Sequence, residues 1–495
     1  MLLKAFFLLS SFIFLLQWQI IASLKFSRGL IFLLKTYQAK TETSSSPDES
    51  KSQSKSRFVY SLDEKEREFS SSAEYVKYLA TIATLPKGFK VGAIRFPFQP
   101  LEVQKQLPMN LSMILLDEPT TSYAAAFTSN QFPGGPILVG KQRLQSSEHL
   151  QAIIINNKIS NVCPNGVQDF GYQDSDRLCE KLAETFQLSS KQAVLPSSTG
   201  IIGWRLPIDT MVEKLPLLKP ALQKDSVLPI ALGIMTTDRY PKIRSYRSPK
   251  NNWSIVGIAK GAGMIEPNLA TMLSYLLTDL HLSKAQLQRS LQKVLSSTYN
   301  SISVDGDQST SDTVVLLSSR QSHPSPVDDD PALIEEFENA LYSICYKLSE
   351  DIVRNGEGTQ HVVRVKVKGI QNEKISKYIG KSIINSSLVK CAIAGNDPNV
   401  GRIVSSIGSI LGNTILPLLQ SSNNILLNSK EEEREEVGGK FVFEKDQVRI
   451  SLGKIVIFEK GGFQLDPVKE DALFEYLSSC QLYSKDINEH DRTYP

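Results

Sequence analysis

Cysteine and histidine are both scarce, five of each in 495 residues. The cysteines (Cys163, Cys179, Cys345, Cys391 and Cys480) are scattered, with no Cys-x-x-Cys pair and no nearby histidine ladder. That spacing argues against a zinc site or a disulfide framework and fits a reducing compartment. No His-Glu-x-x-His sequence occurs, so a zincin has little support and no metal is expected. A surplus of one charge is also missing. Fifty-five Lys and Arg against 52 Asp and Glu leave a net charge of +3, so no nucleic-acid footprint is visible and no nucleic-acid partner is expected.

Acidic residues are absent from residues 1–41, which carry Lys4, Lys25, Arg28, Lys35 and Lys40. Two apolar stretches, 5–16 and 30–34, are separated by a polar and basic patch. The first is long enough for a signal-peptide core but short of the about 20 residues of a spanning helix; counted through Ile21 it would serve as a signal anchor. Basic, acid-poor composition is also that of a transit peptide. Residues 41–57, rich in Ser, Lys and Glu without apolar periodicity, read as a disordered linker. Residues 1–57 are therefore expected to be a targeting segment and linker outside the fold.

Beyond the linker, short apolar runs alternate with amphipathic stretches. Residues 151–156, 384–386, 441–443, 447–452 and 454–458 read as strands from their β-branched content and brevity. Residues 168–186, 282–297, 331–348 and 400–411 read as helices from apolar spacings of three and four, with Ser283 and residues 328–330 as N-terminal signals for two of them. The expected class is α/β, of the α+β kind, with helical layers around a large core and no strict strand–helix alternation. The acidic run 431–436 reads as a solvated face.

Residues 260–274, Lys-Gly-Ala-Gly-Met-Ile-Glu-Pro-Asn-Leu-Ala-Thr-Met-Leu-Ser, concentrate the chemistry. Ala270, a small residue, directly precedes the hydroxyl of Thr271. Alone, such a pair after a Pro-Asn turn is an ordinary helix start. It also suits a chain that cuts itself: the Thr271 hydroxyl attacks the Ala270 carbonyl, and hydrolysis of the ester releases an N-terminal threonine. Its α-amino group, with a reference pKa of about 8, is then a base beside its own hydroxyl. A nucleotide-binding reading of residues 261–263 is set aside, because position 266 is Glu and no strand is expected immediately before the loop.

The whole run resembles the self-processing segment of the ornithine acetyltransferase family, the bifunctional glutamate N-acetyltransferases of arginine biosynthesis. Five further blocks match in the family's order: Pro196-Ser-Ser-Thr-Gly-Ile-Ile-Gly203, Met235-Thr-Thr-Asp238, Ser303-Val-Asp-Gly-Asp-Gln-Ser-Thr-Ser-Asp-Thr313, Arg354-Asn-Gly-Glu-Gly358 and Ala394-Gly-Asn-Asp-Pro-Asn-Val-Gly-Arg402. The resemblance implies mixed sheets sandwiched between helical layers in a self-processing, N-terminal-nucleophile-like acyltransferase fold. It implies an α chain of residues 58–270 and a β chain of residues 271–495 opening on the catalytic Thr271, joined as a heterotetramer of two α and two β chains. Thr199 and Gly200 match the oxyanion-hole pair, a role that suits a glycine backbone N–H open to close approach. Lys260, Glu357 and Thr237 match substrate-binding residues, with Thr236 an open alternative to Thr237, and Asn488 and Thr493 keep the spacing of the terminal substrate-binding pair. The implied reaction is ping-pong acetyl transfer from N-acetylornithine to glutamate, with no cofactor and acetyl-CoA as an optional second donor. The relatives' location implies the mitochondrial matrix, with the plastid as alternative.

This chain departs from the family pattern in three places. Lys158 stands where a glycine is usual, part of the segment between the last helix and the terminal asparagine is missing, and the terminal motif lacks its usual tyrosine. Two other readings stay open. One is a self-processing aminopeptidase of the related fold, disfavoured by Lys260 and Glu357. The other is a non-catalytic protein anchored in a membrane by residues 1–21.

Overall fold

The structure, a computed structural model, describes residues 69, 71–164, 170–266, 272–370, 372–418 and 443–480. These fall into two compact units that divide after Val362.

The larger unit, up to residue 362, holds two mixed sheets. In the first, β1 (Phe89–Phe98), β2 (Leu107–Thr120), β4 (Leu150–Asn156) and β5 (Val194–Ser198) lie in that order. The second has the order β3 (Tyr123–Phe127), β9 (Thr313–Ser318), β8 (Leu273–Thr278), β7 (Ser254–Lys260) and β6 (Lys242–Arg247). Each sheet contains one parallel pair, β4 with β5 and β8 with β9. Parallel neighbours need a crossover, supplied by the helices Phe170–Phe186 and Lys284–Ser297 respectively.

Strand parity explains the layering. Ile153 and Ile155 of β4 join Leu273, Tyr275 and Leu277 of β8 in one apolar cluster between the sheets. Their alternate neighbours Ala152 and Ile154 pack outward with Leu178 and Leu182 of Phe170–Phe186. On the second sheet, Leu276, Val314 and Leu316 pack outward against Leu287 and Leu291 of the helix Lys284–Ser297 and against the helix Pro331–Arg354. Successive side chains on a strand face opposite ways, so strands buried on both faces stack as helix, sheet, sheet, helix. The expectation of mixed sheets between helical layers holds.

The helices follow their sequence signals closely. Ser283 caps Lys284–Ser297, accepting from Gln286 N. Asp330 caps Pro331–Arg354, accepting from the backbone N–H groups of Ala332 and Leu333. The latter runs six residues beyond the expected end, because Leu348 and Ile352 continue the buried stripe of Phe337, Leu341 and Ile344. Residues 151–156 are a strand as expected, and the expected helices at 168–186 and 400–411 appear as Phe170–Phe186 and Gly401–Ile410.

The smaller unit, residues 363–479, packs the helices Glu373–Asn385, Ser387–Ala394, Gly401–Ile410 and Pro467–Ser479 with an antiparallel sheet of β10 (Ile450–Leu452), β11 (Ile455–Glu459) and β12 (Gly462–Phe463). Here one expectation fails. Residues 384–386 are not a strand, since Ile384 and Asn385 end the helix Glu373–Asn385 and Ser386 is its C-cap. Ile375, Ile379 and Ile383 recur every four residues as an apolar stripe buried in this unit's core, a period that a three-residue window cannot reveal. Of the two strands expected at 447–458, the first is shorter, because Lys445–Gln447 is a 3-10 turn. Phe443 is in no strand, and the rest of residues 441–443, the acidic run 431–436 and residues 1–57 lie outside the described residues. Among the described residues, no helix is long and apolar enough to cross a membrane.

Candidate active site

The site lies where strand ends of the two sheets meet. Across the second sheet, Phe127, Thr313, Leu273 and Lys260 form one row in register. The row is tied at its edge by Thr313 N donating to Met272 O at 2.9 Å and Thr128 N donating to Asp312 O at 3.1 Å. Lys260, the last residue of β7, therefore sits beside the first residue of β8. Contrary to expectation, a strand does run directly into Gly261. What still separates this loop from a dinucleotide fingerprint is Glu266 and the strand, rather than helix, that follows.

In the first sheet, β4 and β5 end together at Asn156 and Ser198. Beyond them the loops stay zipped: Thr199 N donates to Asn156 O at 3.1 Å, Ile201 N to Lys158 O at 2.8 Å and Ser160 N to Ile201 O at 3.0 Å. Gly200 has φ +128°, and a Cβ there would lie 2.1 Å from the Lys158 carbonyl carbon. Only glycine fits. Among the described residues, neither the Gly200 N–H nor the Thr199 hydroxyl has a hydrogen-bond partner, so both remain as donors at this turn. Lys158 adopts φ +80°, which answers the usual glycine at this position. Burial and the Arg95 charge lower its ammonium pKa.

Two side chains connect the sheets here. Asn157 Nδ2 donates to Met235 O at 2.9 Å, and Ser311 Oγ to Ser160 O at 3.4 Å. The Thr237 hydroxyl donates to Glu357 Oε1 at 2.6 Å, while Thr236 contributes its backbone N–H to Asp238. Glu357 is held against the loop after β7 by its own N–H, which donates to Ala262 O at 3.0 Å. Its carboxylate fills the space that a side chain at Gly263 would need, 2.7 Å from an added Cβ. The same loop is fixed from the other side by Asp305, which accepts from Met264 N at 2.6 Å and Ile265 N at 2.8 Å. Thr199, Gly200, Thr237, Lys260 and Glu357 are thus gathered on connected loops. Ala270, Thr271, Asn488 and Thr493 lie outside the described residues.

Two buried carboxyls escaped sequence reasoning. Burial would raise the Asp238 carboxyl, but the Lys242 and Lys260 ammonium groups outweigh it and hold the pKa down at about 2. Asp312 goes the other way. Burial pushes it well above the usual carboxylate range, and the nearby Ser309 and Thr128 hydroxyls and the Lys260 charge offset that only in part. Both acids stood inside matched blocks, but only burial distinguishes them from ordinary loop charges. Among the described residues, no group of three His, Cys, Asp or Glu is placed to hold a metal ion.

The sequence profile of the ArgJ family matches residues 99–482. The chain is 38% identical over 349 residues to the arginine biosynthesis bifunctional protein ArgJ of Bacillus anthracis, spanning 69% of this chain and 84% of that protein. With the protein of the same name from Bacillus cereus, identity is 37% over 374 residues, spanning 74% and 88%. Among solved structures, it is similar to ornithine acetyltransferase complexed with ornithine from Mycobacterium tuberculosis, at 28% identity and a TM-score of 0.33 over 39% of this chain and 97% of that one.

Proposed function

Because this chain belongs to the ArgJ family, we propose that it is an acetyltransferase of arginine biosynthesis that moves an acetyl group from N-acetylornithine to glutamate through Thr271. Maturation comes first. The Thr271 hydroxyl adds to the Ala270 carbonyl, the peptide nitrogen leaves as the Thr271 amine, and water hydrolyses the resulting ester. The products are an α chain ending at Ala270 and a β chain of residues 271–495, assembled as two of each.

In turnover the Thr271 amine takes the hydroxyl proton as the oxygen attacks the acetyl carbonyl. The oxyanion is stabilised by the Gly200 N–H and the Thr199 hydroxyl. The leaving amine of ornithine takes the proton, and the amine of glutamate then attacks the acetyl ester, its proton passing through the Thr271 amine to the departing Thr271 oxygen and restoring the hydroxyl. One hard amide exchange becomes two easier steps, with no cofactor required. Lys260 pairs with a substrate carboxylate and Glu357, oriented by Thr237, with an ammonium; Asn488 and Thr493 close the site. Acetyl-CoA serves as a second donor, and residues 1–57 direct the chain to the mitochondrial matrix, with the plastid as the alternative.

The observation that carries this reading is the register row placing Lys260 beside Leu273, two residues after Thr271 in sequence. Intact-mass analysis tests it. Wild type yields two polypeptides, the second beginning at Thr271, whereas Thr271→Ala stays as one chain and transfers no acetyl. Uncut wild type with normal acetyl transfer would refute the mechanism.

A further inference from the structure

The candidate substrate-binding residues sit on three segments distant in sequence: the turn 235–238, the strand end 260–263 and the turn 355–358. One buried polar cluster joins them. Asp238 and Lys242 are both fully buried and paired at 2.6 Å. Asp238 Oδ1 also accepts from Gly261 N at 2.9 Å, and Oδ2 from Thr236 N at 3.1 Å. Lys242 Nζ donates onward to Asn355 Oδ1 at 2.8 Å, which accepts in addition from Arg239 N at 3.1 Å.

A buried ion pair is seldom more stabilising than apolar residues of the same volume, so stability alone is a poor reason to keep this one. An apolar pair could not accept backbone N–H groups from two loops, nor reach a third through a cation. The groups it holds adjoin the three candidates: the donors Thr236 N and Gly261 N belong to residues that precede Thr237 and follow Lys260, and the acceptor Asn355 lies two residues before Glu357.

We propose that Asp238, with Lys242 and Asn355, is a positioning cluster that sets the separation between the carboxylate-binding Lys260 and the ammonium-binding Thr237–Glu357 pair, and so selects amino-acid substrates by length. The inference rests on the substrate reading above. It makes Asp238 a positioning residue rather than a catalytic one, and Thr271 chemistry is left untouched.

The test uses full-length protein carrying Asp238→Leu with Lys242→Met, which removes both members of the buried pair, and Asn355→Ala as a milder second variant. Both are expected to self-cleave like wild type. In the paired variant the Thr236 and Gly261 amides exchange hydrogen faster, KM for N-acetylornithine rises by roughly tenfold or more, and kcat changes little. Discrimination against N-acetyllysine, longer by one methylene, falls in both variants. Faster amide exchange with wild-type KM and wild-type discrimination would make the cluster merely structural and overturn the proposal. Wild type that neither binds ornithine by calorimetry nor transfers acetyl would instead remove the substrate reading, and this inference with it.

Discussion

Single residues decide what this site can do. Gly200 is the sharpest case, because its left-handed φ and its contact with the Lys158 backbone forbid any side chain. Gly200→Ala is expected to displace an oxyanion donor and lower kcat by about a hundredfold or more, with a loss of roughly 1–3 kcal/mol in stability; steady-state kinetics and urea unfolding read the two effects. Glu357 can be probed more gently. An amide oxygen can still accept from Thr237, so Glu357→Gln keeps the 2.6 Å partnership while removing the charge. KM for N-acetylornithine should rise by roughly tenfold, with kcat near wild type. An unchanged KM would dissociate Glu357 from ammonium binding.

At the scale of elements, capping and parity carry the fold. Ser283 Oγ accepts from Gln286 N at 3.1 Å and donates to Asp328, so it both starts the crossover helix Lys284–Ser297 and ties it to the approach of the next helix. Ser283→Ala is expected to cost about 1 kcal/mol, visible as a lower urea midpoint at unchanged slope, with acetyl transfer preserved. The elements that sequence located best are long, periodic and capped, such as Pro331–Arg354. The failure at 384–386 came from a short apolar group whose periodicity lies in the preceding turns of helix.

For the whole molecule, the buried acids make stability depend on pH in opposite senses. The Asp238 carboxyl is held at about 2, below its unfolded value near 3.9. Its contribution is therefore present above about pH 4 and is lost as pH falls through the folded value. Asp312 is raised, so its contribution is complete below the unfolded value and declines as pH climbs toward the folded one. Asp312→Asn should accordingly gain on wild type in urea unfolding as pH is raised from 4 to 8. A gap between the two proteins that stays constant with pH would show that Asp312 is not raised.

The order of the six matched blocks, the caps at Ser283 and Asp330 and the family itself were determined by sequence alone, because glycine turns, caps and block spacing are local properties of a chain. Thr199, Gly200, Thr237, Lys260 and Glu357 could be named one at a time for the same reason. That they adjoin, that a strand leads straight into Gly261, and that Asp238 and Asp312 are opposite kinds of acid were decided by tertiary structure. Register between strands sets the first two. Burial, with the cations it brings near, sets the third, and no local pattern records how much water a carboxyl will lose.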